Sequence, residues 1–235
     1  LLREEDVRKV LDLDAAIEAV EEGYRQYGLG KIQSPPWRDV SFDGKDIPHG
    51  DGPGIVQAIA YHEQEQIAVI KHFYSFRNSG SSRLHLIDAK NERVLAVMEA
   101  GFESLMRTGA AGAVAAKHLA RRRALTLGVI GTGNQARAQV RFASHVVEVG
   151  KVLAWSIDPM RKRMDFARDV ESATMTEVRL VDSPREVAES SDLLITATRS
   201  TTPIVEGEWL KAGTHVTSMG ADDPRKVELA SSALA

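Results

Sequence analysis

Residues Gly131-Thr132-Gly133-Asn134-Gln135-Ala136 form a G-x-G-x-x-A run directly after the apolar stretch Leu125 to Ile130. A strand that delivers its C-terminal end into such a turn, followed at once by a helix, is the arrangement that binds a dinucleotide pyrophosphate. Gly131 allows the tight turn, Gly133 lets backbone approach phosphate with no Cβ between them, and Ala136 is small enough for the helix to pack on the strand. A helix beginning at Asn134 also points free N–H groups at an anion.

The motif has meaning only if the right elements flank it. Residues 134 to 149 carry Ala136, Val140, Ala143, Val146 and Val147 near helical spacing, and Lys151 to Ile157 reads as a short buried parallel strand. Together they complete a β-α-β unit. Ser183-Pro184-Arg185-Glu186 is a capping box with proline at the first helical position, predicting a helix to about Ser190. Leu193 to Thr196 and His215 to Ser218 read as further strands that end in small or polar residues. The expected fold class is α/β, a Rossmann-type doubly wound parallel sheet. A six-strand version needs another crossover and strand after Ser218, so the C-terminal part of such a fold is expected to lie beyond Ala235.

The N-terminal half has a different texture. Asp14 is placed to cap a helix carrying Ile17, Val20, Tyr24 and Tyr27, with Gly28 and Gly30 to end it. Between Arg38 and Asp88, short apolar runs (Ile55 to Ala60, Ile67 to Ile70, Leu84 to Ile87) alternate with polar turns and predict a sheet. Leu105 to Ala120 is an alanine-rich helix suited to close packing against another helix or a second subunit. The chain therefore divides into an α+β domain over 1–122 and a dinucleotide-binding domain over 123–235.

Of the 235 residues 43% are hydrophobic and 27% charged, with net charge −3, as expected of a soluble globular protein. No apolar stretch approaches the roughly 18 to 20 residues that cross a bilayer, and no secretory h-region precedes the first helix, so a cytoplasmic location is the expectation. Without cysteine, disulfides, thiolate metal sites and cysteine nucleophiles are excluded. Mild acidity gives no nucleic-acid footprint, and Arg121-Arg122-Arg123 reads as a solvated helix end. His62, His72, His118 and His145 lack metal-ligand spacing and read as structural histidines, so no metal is expected. Trp37, Trp155 and Trp209 read as packing residues.

Several further segments, taken in order, resemble the ornithine cyclodeaminase/μ-crystallin family. They are Leu-Asp-Leu-Asp-Ala-Ala-Ile-Glu-Ala-Val near the start, Ser34-Pro35-Pro36-Trp37-Arg38, Ile70-Lys71, Met106-Arg107-Thr108-Gly109, the glycine turn, and Gly220-Ala221-Asp222-Asp223-Pro224-Arg225-Lys226-Val227-Glu228. The resemblance spans essentially the whole chain. It implies a homodimer in which a substrate and dimerisation domain adjoins an NAD(P) domain, acting on a small amino or imino acid. The turn from Asn78 to Ser82 is shorter than is usual in that family.

A small amino or imino acid requires a cation for its carboxylate and a proton donor or acceptor for its nitrogen. Arg38, Lys71 and Arg107 are the candidate cations; arginine grips a carboxylate through a planar fork, while lysine is a point charge that can also exchange a proton. Taken singly each reads as a surface cation, and the resemblance is what assigns them to substrate. By the same resemblance Asp222 contacts substrate nitrogen and serves acid/base steps, with Lys71, while neighbouring Asp223 is the better candidate for a capping role. Cofactor contacts are implied for Thr108, Gly131, Gly133, Asn134 and Gln135, then for Ser156, Asp158 and Arg161, and finally for Thr198, Met219, Gly220 and Lys226. Glu228 matches the same pattern and reads as a loop tie.

Two departures matter. Ser156 stands where an acidic residue commonly ends the second Rossmann strand, with Asp158 two residues on and Arg161, Lys162 and Arg163 beside it, so NAD and NADP both remain open. Cyclodeaminases carry a glutamate in Glu-x-Met-Pro ahead of the Lys71 position. Here Gln57 falls near that place, unless Glu63 or Glu65 supplies the carboxylate. The reading is an NAD(P)-dependent amino-acid dehydrogenase or ketimine reductase. The alternatives are an ornithine-cyclodeaminase-like ammonia lyase and a non-catalytic dinucleotide-binding protein.

Overall fold

The computed structural model describes residues 1–42, 54–76, 79–121, 123–222 and 224–234. Arg122 and Asp223, the start of the Asn78 to Ser82 turn, and residues 43–53 lie outside the described residues.

The chain forms two compact units, Leu1–Met106 and Arg107–Ala235. The first begins with α1 (Glu4–Val10) and α2 (Leu13–Gly28). The cap of α2 is Asp12, whose carboxylate accepts the Ala15 N–H at 2.8 Å, and not Asp14, which lies within the first helical turn. An N-cap needs extended backbone to aim its side chain at the orphan N–H groups, and Asp12 has it (φ −101°, ψ −175°). Six strands follow: β1 (Ile32–Gln33), β2 (Arg38–Ser41), β3 (Gly54–His62), β4 (Ile67–Phe76), β5 (Ser79–Asp88) and β6 (Arg93–Glu99). They pair antiparallel in the order β1-β3-β4-β5-β6, with β2 also on β3. The apolar runs lie at the centre of β3, the start of β4 and the second half of β5. Beyond those runs the strands continue through polar residues such as Lys71 and Arg83, because ladder hydrogen bonds do not depend on side-chain polarity. β6 has no matching run in the sequence reading.

The helix α3 (Gly101–Leu119) crosses from one unit into the other. The units divide inside it, at Met106 and Arg107, rather than at 122/123. Its second half packs against α4 (Asn134–Val146) through bare backbone: a Cβ on Gly109 would sit 2.4 Å from the Phe142 ring, and one on Gly112 2.0 Å from Gln139 Oε1. Gln139 Nε2 donates to the Thr108 carbonyl at 2.7 Å. Within this unit, the small residues of α3 thus serve approach to another helix.

The second unit continues with β7 (Arg123–Ile130), α4, β8 (Glu148–Trp155), α5 (Met160–Thr174), β9 (Val178–Leu180), α6 (Pro184–Ser190), β10 (Leu193–Thr196) and β11 (His215–Ser218). The five strands are parallel in the order β11-β10-β7-β8-β9, so the chain reverses direction across the sheet between β7 and β10. This is the expected doubly wound arrangement. Leu127, Val129, Ile130, Val152, Ala154 and Leu193 are essentially without exposure, as strands covered on both faces require. Ser183 caps α6 by accepting the Glu186 N–H at 3.1 Å, with Pro184 at the first helical position. The short strand β9 was not legible as a run, since Val178-Arg179-Leu180 is too brief to show a period.

Candidate functional site

The carboxyl ends of β7 and β10 flank the point where strand order reverses, which is where open parallel sheets bind ligands. At the end of β7 the chain turns at Gly131, whose φ of +109° is closed to side chains, and a Cβ there would sit 2.4 Å from the Ala197 carbonyl. Gly133 differs: it is exposed, has an ordinary φ of −78°, and a Cβ on it would meet nothing within 4 Å. Gly133 is the N-cap of α4 and provides no side-chain cap, and the first turn holds no acidic residue. The result is an open step of bare backbone beneath free helical N–H groups. Beside it, the buried Nε2 of Gln135 has no hydrogen-bond partner among the described residues. A pyrophosphate fits this cradle by charge, by donor supply and by the space at Gly133.

The end of β8 lies alongside. Thr132 Oγ1 contacts Ser156 Oγ at 2.8 Å and donates to Asp158 Oδ2 at 2.7 Å, and Ser156 Oγ accepts the Asp158 N–H at 3.1 Å. Thr132 and Ser156 are buried, and together they hold the partly exposed Asp158 carboxylate at the glycine turn. Arg161 is exposed in the first turn of α5, Lys162 is also exposed, and Arg163 is buried with its guanidinium on the Val181 carbonyl. Ile157 is 91% exposed next to Asp158. The sequence reading did not single out Thr132, although its place between the two glycines was a usable signal.

The loops after β10 and β11 are held by Glu228. This carboxylate is 1% exposed, and its Oε1 accepts the Thr198 N–H at 2.7 Å and the Thr198 hydroxyl at 2.8 Å. Its Oε2 accepts Thr196 Oγ1 at 2.7 Å, Ser218 Oγ at 2.9 Å and the Gly220 N–H at 2.9 Å. The loop-tie expectation understated it: one side chain sets the positions of Thr198, Met219 and Gly220 together. Met219 N–H further donates to the Thr196 carbonyl at 2.8 Å. Beyond it, Asp222 is exposed, and its Oδ1 accepts from Lys226 Nζ at 2.6 Å. Lys226, expected at the cofactor, is thus the ion-pair partner of the expected acid/base residue.

In the first unit, Lys71 lies on β4 with its side chain 12% exposed. Its Nζ stands 2.7 Å from Glu103 Oε2, donates to Ser104 Oγ, and lies 5.2 Å from the Phe73 ring centroid. Register decides which residues share its face. Lys71 pairs with Ala58 and Phe73 with Val56, whereas Gln57 pairs with His72. Gln57 therefore points to the opposite face, and the residues that β3 presents beside Lys71 are Val56, Ala58 and Ala60. Glu63 and Glu65 are exposed in the β3–β4 turn, beyond the last pair His62 and Ile67, which is itself four residue pairs from Lys71 or about 13 Å along the strand. Arg38 pairs with Gln57 and is exposed, so it stands on the face away from Lys71, and the structure does not bring those two cations together. Arg107 is exposed on α3, and Thr108 is partly buried one residue on. Glu103, one helical turn before Arg107, went unnoticed in the sequence.

Burial lowers the pKa of His215 and, with help from neighbouring His85, of His72, so both favour the neutral ring. Among the described residues no group of three His, Cys, Asp or Glu comes together as metal ligands, and no helix is long and apolar enough to cross a membrane. Trp37 stacks on Phe73 with ring centroids 5.9 Å apart, and Trp155 donates to the Asp182 carbonyl at 3.1 Å.

Residues 1–235 match the profile of the ornithine cyclodeaminase/mu-crystallin family. The alanine dehydrogenase of Archaeoglobus fulgidus is 33% identical over 97% of this chain and 69% of its own length. The structure of Thermococcus litoralis Δ1-pyrroline-2-carboxylate reductase with NADH and L-proline superposes with a TM-score of 0.89 at 31% identity, covering 99% of this chain and 72% of that one. An archaeal alanine dehydrogenase dimer with bound NAD gives 0.86 at 31% identity, covering 97% and 69%.

Proposed function

Because the chain belongs to the ornithine cyclodeaminase/mu-crystallin family, we propose that it is an NAD(P)-dependent oxidoreductase interconverting a small amino acid and its imino form. The observation that carries the reading is the open, donor-lined step at Gly131 to Gln135 with the Asp158 carboxylate held at its side. The relatives described above, named for alanine and for a cyclic imino acid, support the substrate class.

A bound nicotinamide supplies or accepts hydride at the substrate α-carbon. The protein's own groups do the rest. The step at Gly133 and the N–H groups of α4 bind the pyrophosphate, while Asn134 and Gln135 border it. Asp158 accepts the ribose hydroxyls and repels a 2′-phosphate, which favours NAD over NADP. Thr198, Met219 and Gly220, fixed by Glu228, form the wall at the nicotinamide end. Lys71 and Arg107 attract the substrate carboxylate. In the oxidising direction Asp222 takes a proton from the substrate ammonium so that the nitrogen lone pair can assist hydride departure; in the reducing direction it returns that proton to the product amine.

Assembly as a homodimer fits the exposed Val40 and Ile59 on the sheet face away from Lys71, and a cytoplasmic location fits a cysteine-free nicotinamide enzyme. The test is to follow nicotinamide absorbance after mixing the protein and NADH with Δ1-pyrroline-2-carboxylate, and separately with pyruvate and ammonia. Consumption of NADH with either supports the enzyme. Tight NADH binding without turnover of these or related imino acids would leave a dinucleotide-binding protein in its place.

A further inference from the structure

Lys71 and Glu103 approach to 2.7 Å with side chains only 12% and 22% exposed. The ammonium also meets Ser104 Oγ, and the flat face of Phe73 lies 5.2 Å from it. By register the strand neighbours on this face are Val56, Ala58 and Ala60 of β3 and Ser82, Leu84 and Leu86 of β5, none of them ionisable. From α3 come Glu103 and Ser104, with Arg107 one turn further along the helix by spacing.

An amine taken out of water among apolar groups loses its proton more easily, and a carboxylate at contact distance opposes that loss. A pair this withdrawn is weak support for stability, since apolar residues of the same volume often serve as well, while removing Glu103 takes from the Lys71 ammonium the carboxylate held against it at 2.7 Å. The geometry points to a role in setting the charge of Lys71. We propose that Glu103 is a positioning residue that keeps Lys71 an aimed ammonium, so that Lys71 acts on substrate as a cation and hydrogen-bond donor and not as an amine nucleophile. The inference rests on the reading of Lys71 as a substrate group. Its chemical consequence is specific: a keto or imino acid meets Lys71 without forming a covalent Schiff base, because that bond needs the neutral amine.

The decisive measurement needs no substrate. Full-length protein and its Glu103→Gln and Glu103→Asp variants, each checked for native melting, are treated with acetic anhydride at constant pH, and labelling at Lys71 is timed by peptide mass spectrometry. Each unit of lost amine pKa raises the neutral fraction about tenfold, so Glu103→Gln should label Lys71 about tenfold faster or more, while Glu103→Asp stays near the wild-type rate. Equal rates for wild type and both variants, or equal acceleration in the two, overturn the proposal, because then charge at residue 103 does not govern Lys71. Borohydride treatment with pyruvate should trap no adduct on wild-type Lys71, and a trapped adduct also overturns it. Kinetics separate the two levels of argument. If Lys71→Ala reduces imino acids normally, the substrate role of Lys71 fails while labelling still judges the pair; if Lys71→Ala is inactive, Glu103→Gln should lose kcat with NADH affinity unchanged.

Discussion

The Glu228 carboxylate accepts the Gly220 N–H at 2.9 Å while its other oxygen accepts the Thr198 N–H at 2.7 Å, so one buried side chain joins the loops after two neighbouring parallel strands. Gln in its place has one acceptor oxygen and one amide NH2. Hydroxyls of Thr196, Thr198 and Ser218 can rotate to accept from that NH2, but backbone N–H groups cannot. Either orientation leaves Gly220 or Thr198 with a donor facing a donor. Glu228→Gln should therefore cost about 1–3 kcal/mol and weaken NADH binding as the two loops part. A thermal melt and a fluorescence titration check both, and an unchanged melting temperature with unchanged affinity would refute the tie.

The two glycines of the turn should separate folding from binding. A side chain on Gly133 enters open space, whereas one on Gly131 requires an unfavourable φ of +109° and strikes the Ala197 carbonyl. Gly133→Val should melt like wild type and lose dinucleotide binding; Gly131→Val should melt lower. Calorimetry that finds wild-type affinity in folded Gly133→Val removes the pyrophosphate from this turn.

Asp158 should decide the cofactor. Its Oδ2 is fixed by Thr132 at 2.7 Å and Ser156 at 3.2 Å, so the carboxylate is oriented before any ligand arrives. Wild-type protein should prefer NADH, and Asp158→Asn should narrow the gap by about tenfold, equivalent to about 1.4 kcal/mol. A wild-type preference of more than about tenfold for NADPH would assign the site to Arg161 and its neighbours instead.

The sequence made some of this visible and hid the rest for physical reasons. The glycine turn, the Ser183 cap and the strands at 193–196 and 215–218 were legible because local chemistry and local backbone determine them. The face of Gln57 was not legible: it depends on register between β3 and β4, and a shift of one residue exchanges the faces. Glu103 was hidden for a similar reason, since it meets Lys71 across 32 residues of chain. The place where the units divide escaped notice because Gly109 and Gly112 look like ordinary small helix residues until Phe142 and Gln139 are seen against them.

Register also bears on whether the protein cyclises ornithine. Ring closure with loss of ammonia needs a base that takes up and returns a proton beside the reacting nitrogen. Among the described residues, β3 offers Val56, Ala58 and Ala60 beside Lys71 on its face and His62 only at the strand's far end, four residue pairs or about 13 Å away, Glu63 and Glu65 sit in an exposed turn, and Glu103 is engaged with the Lys71 ammonium at 2.7 Å. Asp222 alone suffices for imine reduction, in which no ring forms. Ornithine incubated with the protein and catalytic NAD should therefore yield neither proline nor ammonia at a useful rate, while cyclic imino acids are reduced. Proline formed at about 1 per second or faster, an ordinary enzymatic rate, would make the protein a cyclodeaminase. If that rate then collapsed in Glu103→Gln but not in Asp222→Asn, Glu103 would be its base.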